Sequence, residues 1–134
     1  MADRVMLPVT DRGSEPYWSG LAEGRLVLQQ CRACARRSWP PRPLCSSCQG
    51  EDLAWRPVEG TGEVYSWVVT HQVYGADFAD LVPYTIVLVR LDEQEDILIP
   101  GRLRSAAEAS QGLRVRVAPE RLTKDLAQIA WASA

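Results

Sequence analysis

Four cysteines in this chain have the spacing of a metal site. Cys31, Cys34, Cys45 and Cys48 form two C-x2-C pairs separated by ten residues, and the chain has no other cysteine. Each pair can fold into a tight turn, here called a knuckle, that offers two thiolates to one ion. Four thiolates in a tetrahedron select zinc, or iron in a rubredoxin-like site. The pattern predicts a structural metal, with zinc favoured over iron, because four sulfur ligands leave no position for water or substrate.

Other roles for the cysteines fit the sequence less well. Disulfides need an oxidising compartment, and residues 1–13 contain four charges and no apolar stretch of the kind found in secretory signals. A redox C-x-x-C motif normally occurs once, so it would not explain the second pair. We therefore expect a cytoplasmic protein with metal-bound cysteines. An iron-loaded electron carrier is an alternative that a colourless purified protein would remove.

The charge distribution also limits the possible partners. The net charge is −2, whereas nucleic-acid-binding proteins usually carry a basic surface. No apolar run approaches the roughly 18 residues of a membrane-spanning helix, so we expect no membrane segment. Residues 25–50 contain five arginines and no acidic residue. We interpret these arginines as offsetting the negative charge of a metal–thiolate centre, and the alternative is that some of them hold a phosphate-bearing ligand.

Residues that could perform catalysis are few and scattered. His71 is the only histidine, and a lone histidine at the end of a strand is more often a satisfied polar group than a base. The serines, threonines and acids form no nucleophile elbow, carboxylate pair or phosphate-binding glycine loop. We therefore do not expect the chain to be catalytic alone. The aromatic residues of the candidate strands are predicted to be core rather than a binding face: Trp55, Tyr65, Trp67 and Tyr84.

The elements that must position these residues divide the chain into three segments. Residues 1–24 predict a short N-terminal helix, with possible caps at Thr10, Asp11 and Ser14 and a proline in the first turn. Residues 25–50 form the ribbon, in which strand RLVLQQ leads into the first knuckle and the proline-rich run 40–43 blocks helix formation. Residues 51–134 are predicted to form one β domain.

This β domain contains short apolar runs typical of strands. The candidate strands are 53–58, 63–72, 84–91, 97–103, 113–117 and 127–131. Run 84–91 is apolar on both faces and should be central. The acidic residues between 92 and 96 predict a solvated hairpin turn, and residues 105–110 allow one helical turn. The fold class is thus mainly β: a short helix, a rubredoxin-like ribbon and a small Greek-key barrel, most simply an OB-fold.

Taken together, these motifs resemble a known family of zinc-ribbon/OB-fold proteins, catalogued as domain of unknown function thirty-five. The resemblance covers residues 14–131, and its motifs are GRLVLQQC, the two C-x2-C pairs with PPR between them, LAWRPVEGTGEVYSW and PYTIVLVRLDE. The four cysteines match the metal ligands of the family one by one. Pro41-Arg42, Gly60, Gly62 and Pro83-Tyr84 match further family positions. Ala35 and Gln49 depart from the pattern, because a glycine with positive φ is usual after each knuckle. We expect the knuckles to be either slightly strained, at a cost of about 1 kcal/mol per residue, or differently turned.

The resemblance implies an accessory role beside an acyl-CoA enzyme. Members of the family pair with thiolase-fold proteins, including thiolases and retro-aldolases that cleave steroid side chains. We expect a non-catalytic subunit that a lyase or acyltransferase complex requires for lipid or steroid degradation. The complex would be a heterotetramer or larger. The subunit would dock on the thiolase-fold partner and help enclose acyl-CoA, without nucleic acid or membrane.

Two groups of residues are candidates for these contacts. Those for the CoA phosphates are Arg36, Arg37 and Arg42. Those for the partner interface are Val73, Tyr74, Phe78 and Leu81. The alternative function is a single-stranded nucleic-acid-binding OB-fold protein with bases stacked on Tyr65 and Trp67, and its affinity would fall steeply with salt.

Overall fold

The N-terminal helix lies against the first strand. A computed structural model describes residues 7–8, 10–72, 76, 82–105 and 108–134. A short 3-10 turn, Arg12–Ser14, leads into α1, Glu15–Ala22, and the Asp11 carboxylate accepts a hydrogen bond from the Ser14 N–H (2.9 Å). The Gly20 backbone packs so closely on β1 that an added Cβ would lie 2.5 Å from Val27 Cγ2. No helix in the described ranges is long and apolar enough to cross a membrane.

The ribbon is a three-stranded sheet with β1 at its centre. The strands are β1, Leu26–Cys31, β2, Arg37–Ser38, and β3, Leu53–Val58. β1 pairs antiparallel with β2 on one side and with all of β3 on the other. The strand predicted over 53–58 therefore exists, but it belongs to the ribbon sheet and not to the barrel. Our boundary at residue 50 cuts this sheet, because a local apolar pattern identifies a strand without identifying its partner.

Five strands close into the barrel. They are β4, Thr61–Thr70, β5, Tyr84–Leu91, β6, Leu98–Leu103, β7, Arg114–Val117, and β10, Ala130–Ser133. Their order is β10-β6-β5-β4-β7, and β10 runs parallel to β6 and antiparallel to β7, so the barrel closes. β5 pairs with β4 on one side and with β6 on the other, but it is not more central than the other strands of a closed barrel, and its burial alternates. The OB-fold prediction is confirmed.

Smaller elements differ from the prediction at the C-terminal end. The single strand predicted over 127–131 is two: β9, Ala127–Gln128, pairs with β8, Glu120–Arg121, and β10 begins at Ala130. The helical turn predicted over 105–110 lies partly outside the described residues, and 108–110 are not helical.

One hydrophobic core joins the helix, the ribbon and the barrel. Tyr17 and Leu21 of α1 and Leu26 and Leu28 of β1 belong to the same buried cluster as the barrel residues. Trp131 on β10 has no exposed surface, and an added Cβ on Gly101 would lie 2.9 Å from its ring. The ribbon is thus held against the barrel by shared apolar contacts, which fixes the position of the cysteines.

Candidate metal centre

The two knuckles have the same backbone geometry. In the first, the Ala35 N–H donates to the Cys31 carbonyl (2.8 Å). In the second, the Gln49 N–H donates to the Cys45 carbonyl (3.0 Å). Both turns end in a residue with φ of 66°, Ala35 and Gln49. Of the two outcomes left open by the sequence, the knuckles therefore keep the usual turn, with positive φ at two non-glycine residues.

The four sulfurs lie at the distances of a metal–thiolate tetrahedron. All four Sγ atoms are within 4.8 Å of one another. The Sγ atoms of Cys31 and Cys48 are 3.6 Å apart, as are those of Cys34 and Cys45. A Zn–S bond of about 2.3 Å gives a tetrahedral S···S edge of about 3.8 Å, whereas a disulfide needs about 2.05 Å. The predicted four-cysteine cluster is present and fits one metal ion.

Backbone N–H groups lower the pKa of the cysteine thiols, whereas neighbouring sulfurs can raise it. The N–H groups of Cys48 and Ser47 lower the pKa of Cys45 to about 6. The Gly50 N–H also favours the thiolate of Cys48, but the sulfurs of Cys31 and Cys34, together with burial, outweigh it and raise the pKa of Cys48 to about 11. A bound metal ion would offset the mutual repulsion of four ionised thiols.

The knuckle residues Ala35 and Gln49 give a direct stability prediction. Replacing either with glycine should raise the free energy of unfolding of the metal-loaded protein by about 1 kcal/mol, because glycine has no Cβ penalty at positive φ. Urea unfolding at saturating zinc measures the change. Gly24→Ala is the matched control: Gly24 has φ of 83° and no atom within 4 Å of an added Cβ, so this variant should lose about the same amount. A loss of stability in the glycine variants would contradict the assignment.

Two of the three candidate arginines connect the ribbon to the barrel turn between β5 and β6. Arg36 forms an ion pair with Asp96, and Arg37 Nη2 lies 3.2 Å from Glu93 Oε2. Between these pairs, Gln94 Oε1 accepts from the Arg37 N–H (2.9 Å) and Gln94 Nε2 donates to the Arg37 carbonyl (2.8 Å). We call these contacts the joint.

The joint corrects the interpretation of residues 92–96. We expected a solvated turn, but Glu93, Gln94 and Asp96 contact the ribbon, and Asp92 pairs with Arg114 on β7. The Arg114 guanidinium holds the pKa of Asp92 below its ordinary value through a hydrogen bond. The amide of Gln94 has a specific structural role at this point, since it satisfies both backbone groups of Arg37.

Gln94→Ala should therefore loosen the ribbon from the barrel. The variant loses two hydrogen bonds, each worth about 0.5–1.5 kcal/mol, so we expect a loss of about 1–3 kcal/mol in the free energy of unfolding. Thermal or urea unfolding measures it. Glu95→Ala, the exposed neighbour in the same turn, is the control and should change stability by less than about 0.5 kcal/mol. Equal losses in the two variants would show that the Gln94 contacts do not matter.

Arg42 lies in a different environment from Arg36 and Arg37. Its backbone N–H and carbonyl bond to the side chain of Gln29 (2.7 and 2.8 Å). In the described part of the chain no carboxylate lies within salt-bridge distance of its guanidinium. Arg42 lines a groove of about 730 Å³ between α1 and the proline-rich turn, together with Tyr17, Trp18 and Trp39. The three arginines are therefore not brought together in one site.

The predicted interface residues and the aromatic residues of the candidate strands are the remaining candidates from the sequence. The predicted interface residues Val73, Tyr74, Phe78 and Leu81 lie outside the described residues. Trp55 packs against the core, but Tyr65 and Trp67 are 45% and 40% exposed, so the prediction that they are core residues is wrong. The lengths of the predicted strands could have indicated this: run 63–72 has ten residues and run 113–117 has five, so the longer strand must extend beyond the shorter one where they pair.

Two family descriptions match adjacent parts of the chain. Residues 18–54 match "ChsH2, rubredoxin-like zinc ribbon domain", and residues 55–119 match "ChsH2, C-terminal OB-fold domain". The chain belongs to this ChsH2-type zinc-ribbon/OB-fold family. The family resemblance stated from the sequence motifs is thereby confirmed.

Three proteins show how far this likeness extends. A chain of the solved "Ltp2-ChsH2(DUF35) aldolase" superposes with a TM-score of 0.82 at 27% identity, over 94% of this chain and 98% of that one. A DUF35-family protein of unknown function from Sulfolobus solfataricus shares the fold, with a TM-score of 0.64 at 16% identity over 99% of this chain and 92% of that one. A "Probable enoyl-CoA hydratase alpha subunit" of Thermomonospora curvata is 38% identical over 88 residues, which are 64% of this chain and 26% of that relative. The match thus spans about a quarter of the curated relative.

Two of these proteins carry the names of enzymes or enzyme subunits. The structural match carries the name of a two-protein aldolase, and the curated relative carries the name of a subunit of a CoA-thioester enzyme.

Proposed function

We propose that this chain is a non-catalytic accessory subunit that binds a thiolase-fold enzyme and helps to enclose its acyl-CoA substrate. The enzyme would be a thiolase or a retro-aldolase of the steroid side-chain type, in the cytoplasm, and the complex a heterotetramer or larger. The observation that carries the proposal is the likeness to the "Ltp2-ChsH2(DUF35) aldolase", which extends over nearly the whole of both chains.

Within this proposal, the metal is a structural zinc. Four sulfurs at tetrahedral distances would fill every coordination position, so the ion would hold the ribbon and take no part in the reaction. Zinc is favoured over iron because it requires no redox partner and suits a closed four-thiolate site. The ribbon then acts as a rigid platform that presents the groove and the joint.

Arg42 is the arginine best suited to contact CoA. Arg36 and Arg37 already face carboxylates in the joint, whereas Arg42 is exposed at the mouth of an aromatic groove. A guanidinium binds phosphate oxygens bidentately, and the groove aromatics offer a surface for an apolar or planar group. We propose that Arg42 contacts a CoA phosphate when the enzyme complex is assembled, and that Arg36 and Arg37 support it from the joint.

Single-stranded nucleic-acid binding is the second candidate, and one observation favours it. Tyr65 and Trp67 are exposed on a barrel strand, where bases could stack. However, residues 64–72 include no lysine or arginine, and Arg90 on the neighbouring β5 faces Glu63 (3.8 Å) and the Tyr65 ring (4.7 Å). With a net charge of −2 there is little to attract a phosphate backbone. We therefore propose a protein partner.

Affinity capture tests the proposal. The tagged chain is isolated from a lysate of its own host with nuclease added, and co-eluting proteins are identified and quantified by mass spectrometry. We expect a thiolase-fold protein in stoichiometric amount that is retained at high salt. A parallel capture without nuclease tests the alternative. Salt-sensitive nucleic acid in that sample, with no thiolase-fold protein in either, would overturn the proposed function.

A further inference from the structure

The outer half of β4 exposes a strip of apolar side chains. Tyr65, Trp67, Val68 and Val69 are 45%, 40%, 60% and 46% exposed. They are four of the five residues from Tyr65 to Val69. No lysine, arginine, aspartate or glutamate occurs from Val64 to Gln72. We call these four residues the β4 strip. Single exposed apolar residues are ordinary, but a contiguous uncharged group on one strand marks an interaction surface.

Among the described residues, one backbone edge of the same segment has no pairing strand. β7 pairs with β4 only at Thr61–Glu63, and the last bonds on this side join Val64 to Gly112 and Leu113. From Ser66 to Thr70, β4 pairs with β5 on its other side, and no described strand lies along the free edge. A bulge between Val64 and Ser66 marks the point where β4 separates from β7. The free N–H and C=O groups therefore lie directly beside the apolar strip.

Proteins usually protect such an edge, and none of the usual protecting features lies on this one in the residues that the structure describes. Charged residues, prolines or short strands normally discourage edge-to-edge pairing. The outer half of β4 has no charge and no proline, and it is five residues long beyond the bulge. The edge is thus suited to accept another strand through main-chain hydrogen bonds, with its side chains giving apolar contact on both faces.

The size of the strip indicates what covers it. The exposed parts of two aromatic and two valine side chains amount to roughly 300–400 Å², because a whole aromatic side chain buries only about 150–250 Å². A stable interface needs about 800 Å² per partner. A second copy paired only along this edge would therefore make too small an interface. A larger enzyme subunit can contact the strip and the adjacent barrel surface together.

We propose that β4 is the docking edge for the enzyme subunit, which adds an extended, uncharged apolar segment as a strand beside residues 65–70. This inference rests on the proposed function. It differs from the interface predicted at residues 73–81, because it places the main contact on the strand itself. The added strand would continue the sheet of the barrel beyond the end of β7.

The test uses the full, zinc-loaded chain and the purified thiolase-fold subunit identified by capture. Val68→Glu places a charge on the most exposed residue of the strip, and Val68→Ile is the matched control that keeps shape and polarity. We expect Val68→Glu to weaken binding, measured by calorimetry, by about tenfold or more and Val68→Ile to leave it unchanged. Circular dichroism and zinc content confirm that both variants fold. Hydrogen exchange of the amides of residues 65–70 should slow in the complex.

Each other result decides against the proposal. If Val68→Glu binds as tightly as the natural chain, the docking edge is elsewhere and the accessory function still stands. If the natural chain does not bind the subunit, the proposed function and this inference both fail. If the chain alone forms a dimer and Val68→Glu abolishes it, a second copy of the chain is the occupant of the edge. If the chain binds a fluorescent single-stranded oligonucleotide and Trp67→Ala abolishes this binding, nucleic acid is the occupant of the edge.

Discussion

Replacing Cys45 with serine should abolish stable metal binding and unfold the ribbon. Cys45 is buried and has the thiol that ionises most readily in the cluster. Zinc binding to small structural sites is worth about 10–16 kcal/mol, and this free energy is also folding free energy. We expect less than about 0.1 zinc per chain after dialysis, and amide hydrogen exchange should accelerate first in β1 and β3. Metal analysis and exchange mass spectrometry measure the two effects.

The control for this variant is Ser46→Ala, an exposed position in the same knuckle. It should keep one zinc per chain and the exchange pattern of the natural protein. Acid should have the same effect as the cysteine variant, because protons compete with metal for the thiolates and zinc affinity therefore falls as the pH decreases. A Cys45→Ser protein that retains a full equivalent of zinc and a protected β1 would contradict the metal assignment.

Trp131→Ala should cost about 3–5 kcal/mol of unfolding free energy, a large part of the stability of a domain of this size. Trp131 is fully buried on β10, the strand that closes the barrel by pairing with β6 and β7. Its removal leaves a cavity between these strands and against Gly101. Urea unfolding of the zinc-loaded protein measures the loss.

The same substitution at Trp67 provides the matched comparison. Trp67 is 40% exposed at the β4 strip, so Trp67→Ala should cost about 1 kcal/mol or less. Its main effect should be on binding of the enzyme subunit. Similar losses of stability at the two positions would show that the barrel core is not centred on Trp131.

The sequence was sufficient for the parts of the fold that depend on local chemistry. The C-x2-C spacing predicted the four sulfurs of the cluster, and the family resemblance indicated that Ala35 and Gln49 stand where a residue with positive φ is usual. The apolar run over 84–91 matches β5 residue for residue, although burial alternates along the strand from Val87 to Leu91. The barrel followed from the number and spacing of such runs.

The features that were missed depend on contacts between distant residues. Nothing in the pattern of 53–58 shows that it pairs with β1, which lies before the knuckles in the chain. The joint brings Arg37 to Gln94, 57 residues apart, and a glutamine in an acidic turn resembles any solvated polar residue. Tyr65 and Trp67 have the composition of a core strand, and their exposure follows only from the short reach of β7. The local sequence pattern predicts which residues form strands, whereas the lengths over which strands pair decide which side chains remain exposed to solvent.

The measurement that tests the central claim most directly is the acyl-CoA turnover of the purified thiolase-fold subunit, with and without the zinc-loaded chain. We predict low activity for the subunit alone, a rise that saturates at a fixed ratio of the two chains, and no acyl-CoA turnover by the chain alone. Equal turnover with and without the chain, at concentrations where the two proteins are shown to bind, would contradict the account.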